Sequence, residues 1–402
     1  MSNSAPASVA PSQTASPPGS HALDKRARLL TGPILPTLLN LTMPVIAVIA
    51  AQTFVAVLEA FWVSRLGTAA VAGISLVIPL YILMNTMSNG GIGGGVSSAI
   101  SRAIGGARAA DADALLFHSV LIAVAFGALF TGAWFLFGRT ITAALGGAGE
   151  SQGDALTYAG WVFGGAPLIW TVNLMASAMR GAGEVKLPAI VSLIGAGVLI
   201  PLSPALIFGL GPLPRLGVGG AGVATLIYYT GALLVYARHL SAGRGGLRLA
   251  LSALSGRHFG DILGVGLLSA IGSTFASLTV VGLTGAVGHF GAQALAGYGI
   301  ASRVDSLLIP LLFGLGSGVV PLVGVATGAA DHARAHAITR LSATIALLFS
   351  EGVGLLVAFA PWLWMNLFSH DPQVLADGAS YFRTAAPFYG FSGAGIMLYF
   401  AS

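Results

Sequence analysis

In a chain of 402 residues, 8% Asp, Glu, Lys and Arg against 55% hydrophobic residues leaves too few charges to cover a soluble surface; an average soluble protein carries roughly 25%. Lipid is therefore the solvent for much of the chain, in keeping with a mean hydropathy of +0.87. With no cysteine, disulfides and thiolate metal sites are excluded, and the net charge of +5 is spread singly through short loops, which excludes a nucleic-acid-binding patch.

From the N-terminus, residues 1–20 carry no charged side chain and cannot bury a core. Residues 1–30 are expected to form a disordered cytoplasmic tail. The segment has neither a basic start nor an apolar stretch, so it is not a signal peptide. Ten continuous apolar stretches follow, near 36–62, 71–99, 115–138, 156–180, 187–210, 217–239, 259–287, 294–325, 336–360 and 380–401. Each is long enough for the ~20 residues a bilayer-spanning helix needs. None shows the two-residue alternation of a barrel strand, so the expected fold is an all-α, polytopic membrane protein.

Loop charges orient it. Lys25, Arg26, Arg28, Arg102, Arg108, Arg180, Lys186, Arg238, Arg244, Arg248, Arg257, Arg334 and Arg340 fall on one side, and only Arg65, Arg139, Arg215 and Arg383 on the other. The positive-inside bias places the N-terminus in the cytoplasm and the protein in the plasma (inner) membrane.

The spans repeat. Arg65–Gly73 aligns with His289–Gly297 at an offset of 224, and the same offset lays Gly90 and Gly94 on Gly314 and Gly318. Tyr158 and Ala166-Pro167 resemble Tyr381 and Ala386-Pro387 after a small gap. The repeat unit thus holds six spans, and an even number makes the copies parallel, about a pseudo-twofold along the membrane normal. The expected organisation is a first lobe over 31–242, an inter-lobe loop over 243–258, and a second lobe over 259–402. That second lobe is shorter: counterparts of the two spans at 187–239 are missing before Ser402, so about 10 of 12 helices are expected, in a fragment or a naturally shortened relative.

The run Gly90–Gly95 is no phosphate loop, since it lies in an apolar span and lacks the following Lys-Ser or Lys-Thr. Gly90/Gly94, Gly91/Gly95 and Gly314/Gly318 have the GxxxG spacing that lets helices approach closely. Pro44, Pro79, Pro201, Pro204, Pro310, Pro321 and Pro387 fall inside spans, where each removes a backbone donor.

Charges within spans are the sharpest pointers, because insertion scales set the cost of one near the bilayer centre at roughly 2.5–3.5 kcal/mol. Glu59 has Gln52 seven residues earlier on the same helical face. A carboxylate shielded from water can take up and release a proton as its surroundings change, and Glu59 is the candidate coupling residue; the competing role is an interfacial acid near Arg65. Arg303 and Asp305, two residues apart, cannot face each other on a helix, so each needs another partner, in structure or in a substrate cavity. Glu351 reads as a structural acid, with a second relay site as the other reading. Histidines such as His118, His289 and His370 read as solvated surface residues. There is no HExxH, GxSxG or paired-Asp metal motif, so an enzyme is not expected.

Pro44, Val57–Gly67, Met179–Pro188, Gly217–Thr225 and Ala296–Arg303, in this order, resemble the multidrug and toxic compound extrusion (MATE) family over nearly the whole chain from about residue 30. The resemblance implies a V-shaped, two-lobe bundle that exports cationic, amphipathic compounds in exchange for protons or sodium ions. It puts Glu59 at the place of the family's first-helix acid and Thr225 at a threonine of the same cavity. Leu199 and Ser203 stand where the fifth helix often carries Asn and Asp, which leaves half of that cation cluster missing. The seventh and tenth spans hold no interior acid, with Asp261 at an entrance. Expected partners are lipid and small organic cations, with H+ or Na+ as coupling ion, no cofactor, and a monomeric protein. The competing readings are a flippase for a lipid-linked precursor, which would want several basic residues in its cavity, an inactive shortened relative, and a membrane-embedded enzyme or receptor.

Overall fold

Long apolar runs in lipid must satisfy their backbone groups within the segment, and helices do so. The computed structural model describes residues 20–402, with side chains from residue 26 onward except 244 and several between 273 and 292. A short helix, α1 (Ser20–Thr31), precedes α2 (Ile34–Ser64). α3 (Thr68–Asn85) continues through a π-helical turn at Thr86–Gly91 into α4 (Ile92–Gly105). α5 (Ala109–Ala144) is followed by α6 (Gly149–Gly164) and α7 (Ala166–Gly181), which meet at a 49° bend where Gly165 and Pro167 interrupt the ladder. α8 (Lys186–Phe208) and α9 (Val218–Ser241) complete the first half. The second half comprises α10 (Gly256–Gly288), α11 (Ala292–Ala301), α12 (Arg303–Gly328), α13 (His332–Phe359), α14 (Trp362–Met365), α15 (Pro372–Ala385) and α16 (Tyr389–Ala401).

Every one of the ten predicted spans falls on helix. Among the described residues, seven helices are long and apolar enough to cross a membrane, or eight with the bent α6–α7 pair counted as one span. The tenth span is not one straight helix: Pro387 lies in a 3₁₀ turn, Ala386–Phe388, that separates α15 from α16. The other prolines singled out lie inside α2, α3, α8 and α12.

The expected disordered tail is corrected over residues 20–30, which are helical; residues 1–19 lie outside the described residues. α1 is held by contacts that local composition does not reveal. Leu29 is buried, Arg26 Nε donates to the Gly105 carbonyl at 3.0 Å, and Arg334 on α13 donates to the carbonyls of Leu29 and Gly32 at 3.1 and 2.6 Å. The Arg334 guanidinium thereby satisfies carbonyls that a helix end leaves orphaned.

The halves meet in a way that respects the repeat. A Cβ on Gly91 would meet Ala270 at 2.9 Å, and one on Gly95 would meet Gly266 N at 2.8 Å, both on α10. Across the axis, a Cβ on Gly314 would meet Ile46 at 2.8 Å and one on Gly318 would meet Thr42 at 2.7 Å, both on α2. Ile46 and Ala270, and Thr42 and Gly266, are themselves 224 positions apart. The α2 and α10 positions in the seam are thus repeat-related, while the glycines that meet them are 223 apart, one residue off that register, next to the π-helical turn at Thr86–Gly91. Of the overlapping GxxxG pairs in the first half, Gly91/Gly95 makes this contact, while a Cβ on Gly94 would meet nothing within 4 Å. α4 and α12 pack on each other across the axis, with Gly105 against Val325 and Gly328 against Arg102. These close approaches occupy the half of the bundle near the basic loops; farther along, the repeat-related Leu83 and Leu307 are exposed.

Candidate functional site

Glu59 sits one turn before the end of α2, beside α8. Val55, Leu58, Glu59 and Trp62 of α2, with Leu199, Ile200 and Ser203 of α8, line a small cleft with about 10 Å³ of water-accessible volume. That is room for about one water molecule. The cleft holds more polar capacity than the protein uses. Ser203 Oγ and Trp62 Nε1 are buried without a hydrogen-bond partner. Pro204 has no N–H to give the carbonyl four residues earlier, which is that of Ile200, another cleft residue. A carboxylate, a hydroxyl, an indole N–H and a carbonyl without its helical donor thus share one apolar niche.

Two tyrosines lie near the carboxylate. Tyr81 on α3 and Tyr158 on α6 lie close enough to sense the Glu59 charge, and the Tyr81 hydroxyl neighbours Asn85 and Tyr229. Next to them Asn173 on α7 donates from Nδ2 to Ser88 Oγ at 2.9 Å and approaches Asn85 Oδ1 at 3.5 Å. Ser88 lies within the π-helical turn, an irregularity that recurs at functional sites. Sequence reasoning passed over these residues. The available signal was the presence of Asn and Tyr within spans otherwise made of aliphatic residues.

The predicted residues do not all converge. Glu59 and Ser203 share the cleft, as does Leu199. Thr225 is buried, but its Oγ1 donates to the Ala221 carbonyl of its own helix at 3.0 Å, and it does not line the cleft. Gln52 is exposed on α2 and does not line it either. Arg303 and Asp305 have separate partners. The Arg303 guanidinium lies over the Phe368 ring at 5.1 Å, and Asp305 Oδ2 accepts from the Tyr381 hydroxyl at 2.6 Å. Glu351 accepts from the Gly390 backbone N–H at 2.9 Å, a structural contact between α13 and α16.

His118 corrects an expectation. It is fully buried rather than solvated, because α5 packs against the inter-lobe loop there. Its Nδ1 lies 2.7 Å from the Ala114 carbonyl, which accepts, so Nδ1 carries the ring proton and Nε2 accepts the Ser255 N–H at 3.0 Å. Asp113, five residues earlier on α5, accepts the Arg248 N–H at 2.7 Å. His289 and His370 are exposed, as expected.

Close by, charged residues of both halves gather. Arg108 pairs with Asp111 at 2.9 Å, Arg257 lies 3.9 Å from both Asp111 and Asp261, and His258 Nε2 is 3.8 Å from Asp111. Arg102, hydrogen-bonded to Ser98, completes this lining at the basic end of the α4–α10 seam. Among the described residues no three His, Asp or Glu side chains converge in a way that could hold a metal ion.

Repeat-related helices, glycine seams between the halves and a polar niche in an apolar bundle are the makings of a membrane transporter. The MatE family model matches residues 44–205 and 269–400, and the chain belongs to that family. It is 28% identical to the FAD transporter of Shewanella oneidensis over 94% of this chain and 83% of that one. To the probable multidrug resistance protein NorM of Thermotoga maritima it is 28% identical over 68% of this chain and 59% of the relative. Among solved structures, an outward-facing multidrug resistance MATE transporter of the MOP superfamily superposes with a TM-score of 0.81 and 25% identity, covering 94% of this chain and 85% of the other. A crystal structure of MATE in complex with MaD3S gives a TM-score of 0.83 and 25% identity over 94% of this chain and 84% of the other.

Proposed function

We propose that this chain is a secondary active efflux transporter. It exchanges cationic or amphipathic drugs and other toxic organic compounds for protons by alternating access, in the plasma membrane with its N-terminus in the cytoplasm. Membership of a transporter family that includes multidrug exporters supports the general reading. The observation that carries the mechanism is the Glu59 cleft between α2 and α8.

A carboxylate there must be balanced by positive charge or neutralised, since burial penalises the ionised form. A proton does this without needing space. A sodium ion needs several oxygen ligands, and the cleft offers the Glu59 carboxylate, Ser203 Oγ and the Ile200 carbonyl, so the proton is the better fit. With Glu59 protonated, α2 and α8 can pack as neutral surfaces. With Glu59 ionised, the niche favours a nearby positive charge, which a cationic substrate supplies. Proton and substrate then compete for one negative charge, and that competition is antiport. The tight glycine seam near the basic end suits a pivot about which the halves rock.

The test is Glu59→Gln in proteoliposomes carrying an imposed pH gradient, with ethidium as the transported cation. The expected result is loss of gradient-driven ethidium transport; transport at the unsubstituted rate would remove Glu59 from the coupling role.

One observation favours a second reading: the Shewanella relative, matched over 94% of this chain, is an FAD transporter. FAD carries a pyrophosphate, and an anionic substrate would be balanced by basic residues rather than by Glu59. The same vesicles loaded with FAD separate the two. A flippase for a lipid-linked precursor also needs basic lining, and Arg303 is occupied over Phe368.

A further inference from the structure

Ala107 and Ala330 both have left-handed backbone, with φ of 56° and 59°, and they stand 223 residues apart. They mark equivalent turns of the two halves, after α4 and after α12. That register lays Arg102 on Val325, Arg108 on Asp331 and Asp111 on Arg334. The offset of 224 that relates α2 to α10 lays Arg257 on Pro33 and His258 on Ile34. At the second-half turn the chain itself uses the arginine, since Arg334 donates to the Leu29 and Gly32 carbonyls. At the first-half turn, charged side chains gather around a cavity instead. The turn does not require those charges, because its repeat is made with valine, proline and isoleucine at the places of Arg102, Arg257 and His258.

The cavity has about 90 Å³ of water-accessible volume, and Arg102, Arg108, Asp111, Arg257, His258 and Asp261 supply its polar lining. That is the space of about three water molecules. Its basic groups hold more donors than the protein accepts. Arg108 donates to Asp111 at 2.9 Å. Arg257 lies 3.9 Å from both Asp111 and Asp261, and His258 Nε2 is 3.8 Å from Asp111, too far for hydrogen bonds. His258 Nδ1 is buried without a partner. Arg102 donates to a neutral hydroxyl, Ser98 Oγ, and pairs with no carboxylate among the described residues. Two long helices also begin here, α5 of 36 residues and α10 of 33, and neither has a side-chain cap. Their first N–H groups add two positive helix ends, one of them offset by Asp111 in the first turn of α5.

We propose that this cavity binds a phosphate group, either inorganic phosphate or the headgroup of an anionic lipid. A phosphate presents several charged oxygens in different directions, and guanidinium groups reach it from different helices: Arg102 from α4 and Arg257 from α10, with Arg108 beside them. α4 ends at Gly105 and α10 begins at Gly256, so the cavity lies where spans end and lipid headgroups begin. Arg257 is 64% exposed, which leaves the mouth open at that level. Arg102 and Arg108 belong to the first half, and Arg257 and His258 to the second. The bound phosphate therefore bridges the halves at the basic end of the bundle. Binding changes no covalent bond and makes no use of Glu59.

The experiment uses the purified full chain in phosphate-free detergent solution, with two probes added separately. Inorganic phosphate is compared with potassium chloride at equal ionic strength, read by thermal melting. Phosphatidylglycerol is compared with diacylglycerol, read as lipid retained in native mass spectra. A higher melting temperature in phosphate identifies the free anion as the occupant, and retention of one phosphatidylglycerol identifies the headgroup. Either result supports the site when Arg102→Gln weakens that same binding several-fold. Arg257→Gln should weaken it likewise, and this variant should still fold, because Arg257 makes no side-chain hydrogen bond among the described residues. Binding of neither probe, or binding as strong in both variants as in the unsubstituted chain, would overturn the proposal. Neither readout involves transport, so that failure leaves the Glu59 reading standing, and gradient-driven transport that survives Glu59→Gln leaves this site standing.

Discussion

Single side chains here decide between capacity and stability. Ser203 Oγ has no protein partner, so removing it forfeits no hydrogen bond. Ser203→Ala should change unfolding stability by less than about 1 kcal/mol, measured by thermal melting in detergent, while Ser203→Leu should fill the one-water cleft and stop ethidium transport without a matching loss of melting temperature. His118 makes the opposite case. His118→Phe keeps an aromatic ring beside Phe117 and Phe259 but leaves the Ser255 N–H without its acceptor, at an expected cost of about 1–3 kcal/mol. Glu59 was legible in the sequence because a carboxylate in an apolar span is conspicuous. The free hydroxyl of Ser203 and the buried acceptor on His118 were not, since each depends on a residue distant in the chain.

Helix contacts repeat the lesson at the next level. Four adjacent glycine-spaced positions look equivalent in sequence, yet the π-helical turn and the helix phase turn Gly91 and Gly95 toward α10 and leave Gly94 facing open space. Gly94→Ala should therefore melt within about 0.5 kcal/mol of the parent. Gly95→Ala places a methyl against the Ile262 carbonyl and Gly266 and should cost about 1–3 kcal/mol, with Gly318→Ala showing the same sign at the symmetry-related seam. Equal melting of the Gly94 and Gly95 variants would mean that the seam is not packed this way. Ten helical stretches could be read from hydrophobic length alone. The breaks within them at Gly165 and Pro387 could be suspected but not placed, because a proline permits a kink and its neighbours decide whether the helix bends or stops.

Across the whole molecule, the two halves are joined at the basic end by the glycine seam and a mixed cluster of charges. Arg108 and Asp111 are 47% and 30% exposed, so their ion pair is worth only about 0–1 kcal/mol. A contact this weak suits an end that opens and closes under the proposed alternating access. Removing Asp111 leaves Arg108, Arg257 and His258 facing one another without their shared carboxylate. The chain has no cysteine, which makes a single introduced thiol a clean probe. Ala103 is buried in the lining of this cluster, and Ala103→Cys should react slowly with a water-soluble maleimide and several-fold faster when combined with Asp111→Asn. Equal rates would show that the cluster does not help to close this end.

What the sequence determined by itself was whatever composition and periodicity encode: a membrane solvent, helical spans, their duplication and the isolated carboxylates at Glu59 and Asp305. These are properties of segments, and burial in lipid makes them nearly independent of what each segment packs against. The tertiary structure decided the pairings. It made an ordered helix of residues 20–30 through Arg26 and Arg334, buried His118 under the inter-lobe loop, and turned Arg303 and Asp305 to different partners. Hydrogen-bond partners separated by tens to hundreds of residues are fixed by which helix faces meet, and hydrophobic pattern in lipid says little about facing, because lipid and helix neighbours are both apolar.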